Sequence, residues 1–397
     1  MNVEILNTIC INVIADIQKT GIVNLLSQLS TNLQNMINQP QVPQHQQNVS
    51  NVKEQLIAQL HDSKFNDFSP FWKENLKEIG FDGLLGNELA CRIEDIFNQN
   101  QITLSVVNTE IAKISQNMVS LNTTVTQLVD NLKVLNISNE KLENGESEFG
   151  VIIPRIAINQ NFQQFSDEII EIKKIVDDFN ELVIGTRPEI TLKTIASSDY
   201  NVLLELIPKV GLAILGAIST IVLTYQSILE IRKLNHELKE QGVPEKNLRG
   251  IEEHANEKMA AAVSQGVSDL LAKFASNMEK GRRSEMTISL TKSMNKIANR
   301  IDSGYNFDVR FSDEKIDKEM DEEQEEKVKQ EIQKLSKNLE FMNLTGEKIL
   351  SLPETIKENA TMPGPKSAQH QSGPLADNII GMPKNGSAGN EKDPSTK

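Results

Sequence analysis

Imidazoles, thiols and closely spaced carboxylates are where metal, nucleophilic or acid–base chemistry would have to begin, and in this chain they do not converge. The five histidines, His45, His61, His236, His254 and His370, share no ligand spacing with one another or with a cysteine. They read as surface side chains. Cys10 and Cys91 are the only cysteines, which excludes a disulfide framework and suits a reducing compartment. Asp177–Asp178 and Glu252–Glu253 are adjacent pairs. Neighbours on a helix point to different faces, so neither pair suits shared proton transfer. No GxSxG, Walker A loop or GxGxxG occurs. The segment DGLLGNE at 82–88 has two glycines but no strand before it and no Gly-Lys after it, and it reads as a helix start. The expectation is a non-enzyme with no catalytic residue, no metal site, no cofactor and no small-molecule substrate.

The elements that would have to position any site are helices. From Ala90 to Leu135 an apolar residue recurs at alternating steps of three and four: Ala90, Ile93, Phe97, then Leu104, Val107, Ile111, Ile114, Met118, Leu121, Val125, Leu128, Leu132 and Leu135, with Asn100 as the polar exception. This is a heptad seam that must bury itself against another helix. It predicts one helix over about 87–136, roughly 70–75 Å long, with Asn100 at a d position where it could set register. The e and g positions are mostly Asn, Ser and Thr, which favours an intramolecular antiparallel partner over a charge-specified dimer. Phe162, Phe165, Ile169, Ile172, Val176, Phe179 and Val183 repeat the same spacing. The two seams together predict a coiled-coil helical hairpin over 87–183.

Residues 1–38 read as amphipathic helices broken at Gly21, 39–50 as a Gln/Pro linker, and 51–86 as a helical cap rich in aromatics. Phe65, Phe68, Phe71, Trp72 and Phe81 there form either a local core or a binding surface. A very small β-element is expected at about 149–158 and 304–311, where Val151–Ile153 and the alternating GYNFDVRF could pair. A cross-link between cysteines at 152 and 309 would test that pairing. Residues 184–201 read as a loop. A helical region follows at 242–350, with an acidic segment at 313–331 holding ten Asp/Glu against four Lys and read as a solvated face. Residues 351–397 read as a disordered tail, being Pro, Gly, Ser, Asn and Lys without a period from about Thr361. The fold class expected is all-α: an elongated antiparallel helical bundle.

The most distinctive stretch lies in an apolar helix expected over 202–241. Val210 to Leu229 runs for 20 residues without a charge. It begins Val210, Gly211, Leu212, Ala213, Ile214, Leu215, Gly216, Ala217, Ile218 and continues through Ile221, Val222, Leu223 and Tyr225. Such a helix is long enough to span a bilayer, and its small residues permit close helix contact. It could equally be the buried centre of a bundle. Arg232, Lys233 and Lys239 after it outnumber the basic residues just before it, so a spanning segment would keep its C-terminal side in the cytoplasm.

A net charge of −14 with no basic patch argues against a nucleic-acid partner. An aromatic content of 4% suits narrow helix–helix seams rather than a thick core. The N-terminus has no basic n-region and no clean apolar run, so no secretory signal is read there. The functional expectation is a membrane-associated helical scaffold, cytoplasmic for most of its length, whose partners are the lipid membrane and a second copy or another helical protein. Two alternatives stand beside it. One is a soluble-to-membrane protein of the helical pore-forming or membrane-perturbing kind. The other is a soluble cytoplasmic coiled-coil protein with 202–229 inside its bundle.

Overall fold

Apolar stripes become helices in this chain, and the breaks between them follow from particular residues. The computed structural model describes residues 3–355 except 101, 138, 140, 141, 160, 197–199, 313, 314, 343, 345 and 346, with Ala196 and Glu245 described by backbone alone. Among the described residues it is mostly helical, with eleven α-helices and one small four-stranded antiparallel sheet. The expected tail lies outside the described residues from 356 onward. Its first part does not, since Leu352 is buried.

α1 (Val3–Thr20) and α2 (Ile22–Asn38) meet at Gly21, whose left-handed φ of 60° permits a 47° bend between them. The expected Gln/Pro linker is instead the start of α3 (Pro43–His61). Pro43 occupies the first turn, where its missing N–H is not needed. The Gln44–Asn48 and Gln47–Asn51 side-chain hydrogen bonds, 2.9 and 2.8 Å, then support the polar helix at i,i+4 spacing. A 3-10 turn and the short α4 (Pro70–Leu76) carry the aromatics. Phe65 and Phe81 are buried while Phe68, Phe71 and Trp72 pack partly buried around them, so most of this cluster is core.

The heptad region is two helices rather than one: α5 (Gly86–Gln99) and α6 (Leu104–Val134). Asn100 ends the first. Its side chain turns back to donate to Ile96 O at 2.9 Å, and Ile102 just beyond is 98% exposed. An asparagine that bonds its own backbone ends a helix more readily than it fills an apolar layer. α5 packs on α3, and α6 packs on α1 and α2. Val107, Ile111, Ile114, Met118, Val125 and Leu132 are buried there, with Leu104, Leu121 and Leu128 partly so.

The second seam forms α7 (Phe162–Ile184), but the two seams are buried in different cores, which corrects the expected hairpin. Ile172, Val176 and Phe179 are buried against helices that follow α7 in the chain, with Phe165, Ile169 and Val183 partly buried beside them. Phe162, 84% exposed, and Leu135, 67% exposed, lie outside either seam. The α6 stripe is covered by α1 and α2 and the α7 stripe by helices nearer the C-terminus, so neither needs the other.

Between and after these helices come β1 (Ser147–Ile153), β2 (Leu192–Ala196), β3 (Tyr200–Leu206) and β4 (Asn306–Phe311), in the order β2-β3-β1-β4. The segment expected as a loop and the start of the expected apolar helix are thus β2 and β3. Val202, Leu203, Leu204 and Leu206 form a short apolar run whose period does not decide between helix and strand. Pairing with β1 decides it, and Pro208 in the first turn delays the helix α8 (Pro208–Glu240). β1 is buried along its whole length because it has a neighbour on each side. Alternation sends Phe149, Val151, Val202, Leu204, Phe307 and Val309 to one core and Leu203 to the other. The sheet is therefore a wall shared by an N-terminal core (α1–α6) and a C-terminal core. The C-terminal core lays α8 on the sheet and gathers α7, α9 (Glu245–Phe274) and α10 (Lys280–Asp302) around it, and α11 (Glu322–Ser336) lies along α8.

β1 and β4 do pair antiparallel, with Ile152 opposite Asn306 and Phe149 opposite Val309. Cysteines at 152 and 306 should form a disulfide on mild oxidation, whereas 152 and 309, three residues out of register and on opposite faces, should not. Peptide mapping under non-reducing conditions reads both outcomes.

Candidate functional site

The features that set this molecule apart are the enclosed helix α8 and the polar groups that hold it. At its N-terminal end α8 runs hard against β1: a Cβ on Gly211 would lie 2.6 Å from Ser147 Oγ. Val210, Ala213, Ile214, Leu215, Ala217, Ile218 and Ile221 are buried, and Leu212 and Val222 nearly as deeply. On the remaining edge, Gly216, Thr220, Leu223, Thr224, Gln226 and Ser227 reach solvent, and none is charged. The hydroxyls on that edge bond within the helix, Thr220 Oγ1 to Gly216 O at 3.0 Å and Thr224 Oγ1 to Thr220 O at 2.9 Å. Every position of the Val210–Tyr225 run singled out in the sequence thus sits on this one helix, with Leu223 as the exposed member at 54%.

Tyr225, within the apolar run, and Arg232, three residues past its end, lie two turns apart on one face of α8 and meet Asp302 at the end of α10. The Tyr225 hydroxyl donates to Asp302 Oδ1 at 2.6 Å, and Arg232 Nη1 donates to the same oxygen and to Asp302 O, each at 2.7 Å. The other carboxylate oxygen accepts the backbone N–H groups of Ile349 and Leu350 at 2.7 and 2.6 Å. The Asp302 side chain has 0% exposure. Burial, with the Asp302 carboxylate alongside, raises the Tyr225 phenol well above its ordinary range, so it stays a proton donor. A buried carboxylate of this kind is tolerable only because arginine, phenol and two amides satisfy it together. The arrangement locks helices in place and has no open face for a substrate.

A second buried polar group lies where the N-terminal helices meet the sheet. Ser69 caps α4, accepting from Trp72 N, and its hydroxyl donates to Asp308 Oδ2 at 3.0 Å. Arg310 Nε donates to Glu148 Oε1 at 2.9 Å, and its guanidinium lies 5.1 Å from the centre of the Trp72 ring. Burial pushes the Asp308 carboxyl up to about 6, against the lowering influence of Arg310 and of the Ser69 hydroxyl, with Glu148 adding to the rise. Sequence reasoning read the alternation of GYNFDVRF for its apolar face and passed over Asn306, Asp308 and Arg310. The same alternation places those three together on the opposite face.

Groups with latent reactivity stay apart. Cys10 is buried and its thiol is pushed up to about 11 by that burial, while Cys91 is exposed. His61 pairs with Asn87 Oδ1 at 2.7 Å, and His236 lies 3.4 Å from Glu240. Among the described residues no three His, Cys, Asp or Glu side chains gather as a metal site would need. An open groove of about 750 Å³ lies between residues 65–88 and residues 332–341. Lys73, Lys77 and Lys337 lie there among Asp67, Glu74, Asp82, Glu88 and Glu340, so both signs of charge are presented. Compared with protein-family models, curated proteins and solved structures, the chain matches none.

Two stability measurements check these assignments. Arg232→Ala leaves the Asp302 carboxylate buried without its counter-charge and should cost about 3–5 kcal/mol in chemical denaturation. Asp308 behaves oppositely to a salt-bridged aspartate. The folded state holds its proton up to about pH 6, while the unfolded chain releases it near pH 4. The ionised group therefore destabilises the fold above pH 6 and has no such effect below pH 4. Asp308→Asn should raise stability at pH 7–8, by at most about 3 kcal/mol, and the gain should vanish as pH falls from 6 to 4.

Proposed function

We propose that this protein is a non-enzymatic, membrane-associated helical protein that shelters its membrane segment, Val210–Leu229, within its fold and releases it into a lipid bilayer. The carrying observation is the solvent-side edge of α8. Gly216, Thr220, Leu223, Thr224, Gln226 and Ser227 all reach water, yet the helix bears no charge there. A helix held permanently in a soluble core is free to carry Lys or Glu on its wet edge, whereas a helix that enters hydrocarbon is not. Twenty residues at about 1.5 Å each match a hydrocarbon layer about 30 Å thick. The internally bonded Thr hydroxyls are already satisfied for an apolar medium. α8 is the one helix among the described residues that is long and apolar enough to cross a membrane by itself.

In this reading the helices around α8 form a bundle in the sheltered state. Once α8 leaves, the stripes of α7, α9 and α10 re-pair with a second copy or another helical protein, in the manner of a coiled-coil scaffold. Arg232, Lys233 and Lys239 would stay on the cytoplasmic side. A second reading has its own support. In the most apolar stretch of α8, 61% is buried inside the protein, as in the core helix of a cytoplasmic interaction protein that never meets lipid.

One substitution separates the two. Leu223 is exposed, so Leu223→Lys should change folding stability by no more than about 0.5 kcal/mol. The same lysine at the centre of a bilayer costs about 2.5–3.5 kcal/mol. Wild type should release dye from loaded vesicles and resist carbonate extraction from them, while the variant keeps the wild-type melting curve and loses both properties. Wild type that stays in the supernatant and releases nothing across pH and lipid composition makes α8 a core helix.

A further inference from the structure

Residues Glu347–Glu354 cross α9 and α10 as an extended segment whose backbone is read almost entirely by side chains. Asp302 takes the N–H groups of Ile349 and Leu350. Asn256 on α9 donates to Ile349 O at 3.1 Å and accepts from Ser351 N at 2.7 Å. Asn299 donates to Leu352 O and accepts from Leu352 N, each at 3.0 Å. Asn295 donates to Pro353 O at 2.9 Å, and Lys239 Nζ on α8 reaches Glu347 Oε2 at 3.0 Å. Asn295, Asn299 and Asp302 stand at helical spacing on one face of α10. From 302 back to 295 the helix covers about 10 Å, the length of three extended residues, so the segment runs antiparallel to α10 in step with the asparagines. Pro353 falls where only a carbonyl is used. Ile349, Leu350 and Leu352 are buried as anchors.

We infer that this face of α9 and α10 is a binding site for an extended apolar peptide, filled in the resting protein by the chain's own residues 347–354. Amide side chains that pair with both N–H and C=O of a single residue recognise backbone, and the three apolar anchors supply the choice of sequence. The segment contributes no secondary-structure bonds to the rest of the fold, so it can lift off without unravelling a helix or a strand. Its departure removes two of the donors that satisfy Asp302, on the same carboxylate that holds Tyr225 and Arg232. Occupancy of the site is thereby coupled to the hold on α8. The step from a loosened lock to membrane entry rests on the membrane reading above, whereas the peptide site does not.

The test uses the full chain. In the wild type, hydrogen exchange at the amides of Ile349 to Leu352 should proceed by local opening, at least tenfold faster than at the amides of α8 residues 213–218. Exchange of both sets at the same rate, through global unfolding alone, overturns the inference. In a full-length Ile349→Asp/Leu352→Asp variant the site is vacated in cis. A fluorescein-labelled peptide of sequence 347–355 should then bind with a fluorescence anisotropy rise absent from the wild type, whose tethered segment competes at high effective concentration. Adding Asn299→Ala should remove that binding. No binding to a vacated variant that keeps its helical circular dichroism also overturns the inference, and should that variant fail to fold, the wild-type exchange decides alone. The vacated variant should release vesicle dye at about tenfold lower protein concentration. Peptide binding without any dye release would sink the membrane reading and leave the peptide site standing.

Discussion

Asp302 is a carboxylate with no access to water, and three parts of the molecule converge on it. The end of α10 presents it, Tyr225 and Arg232 of α8 bind one oxygen, and the backbone at Ile349 and Leu350 binds the other. Each donor lost from a carboxylate in that position weakens the hold of the others, because charge is left in a medium that screens it poorly. Apolar packing sets the helices by shape alone, ridge into groove, whereas the carboxylate adds directional bonds. These give α8 one longitudinal setting against α10 and the C-terminal segment.

From that setting the rest of the C-terminal core follows. With α8 registered, Gly211 is brought against Ser147 so closely that no side chain fits, and the helix lies flat on β1 and β4. Around its sides the largely buried pairs Arg300–Glu168 and Lys296–Glu171 tie α10 to α7. Lys296, together with Lys174, holds the Glu171 carboxyl down to about 2 despite its partial burial. These pairs ring the apolar centre with charge, whereas the Val210–Leu229 stretch of α8 carries none and is tied electrostatically from beyond its end, through Arg232.

Much of this was legible in the residues, and the misses share causes. The three/four stripes located most of the helices, since amphipathic periodicity is a local property. Which stripe meets which is not local. α6 and α7 carry matching seams, yet α6 packs on α1 and α2 and α7 on α8 and α10, and a spacing pattern cannot rank such partners. Asn100 was visible as an irregularity, but whether it ends a helix or sits in a layer depends on what its amide reaches. Val202–Leu206 misled because a run apolar on both faces belongs to a strand with a core on each side, and single-sequence periodicity reads that as helix. The Asp302 lock joins residues 70 apart from α8 to α10 and 47 apart from α10 to the C-terminal segment. No spacing rule links such positions. Asn256, Asn295 and Asn299 look like ordinary polar helix surface until an extended backbone is laid across them.

β3 places Val202 and Leu204 in the C-terminal core and Leu203 in the N-terminal one. Adjacent residues of one strand thus serve two different interiors. Substitution of any of the three by another aliphatic residue is a local matter of volume. Insertion or deletion of a single residue is different, because it exchanges the two faces and presents each interior with the side chains meant for the other. The length of this strand is accordingly constrained more tightly than its composition, and an insertion or deletion between Tyr200 and Pro208 is expected to be far more disruptive than an aliphatic exchange there.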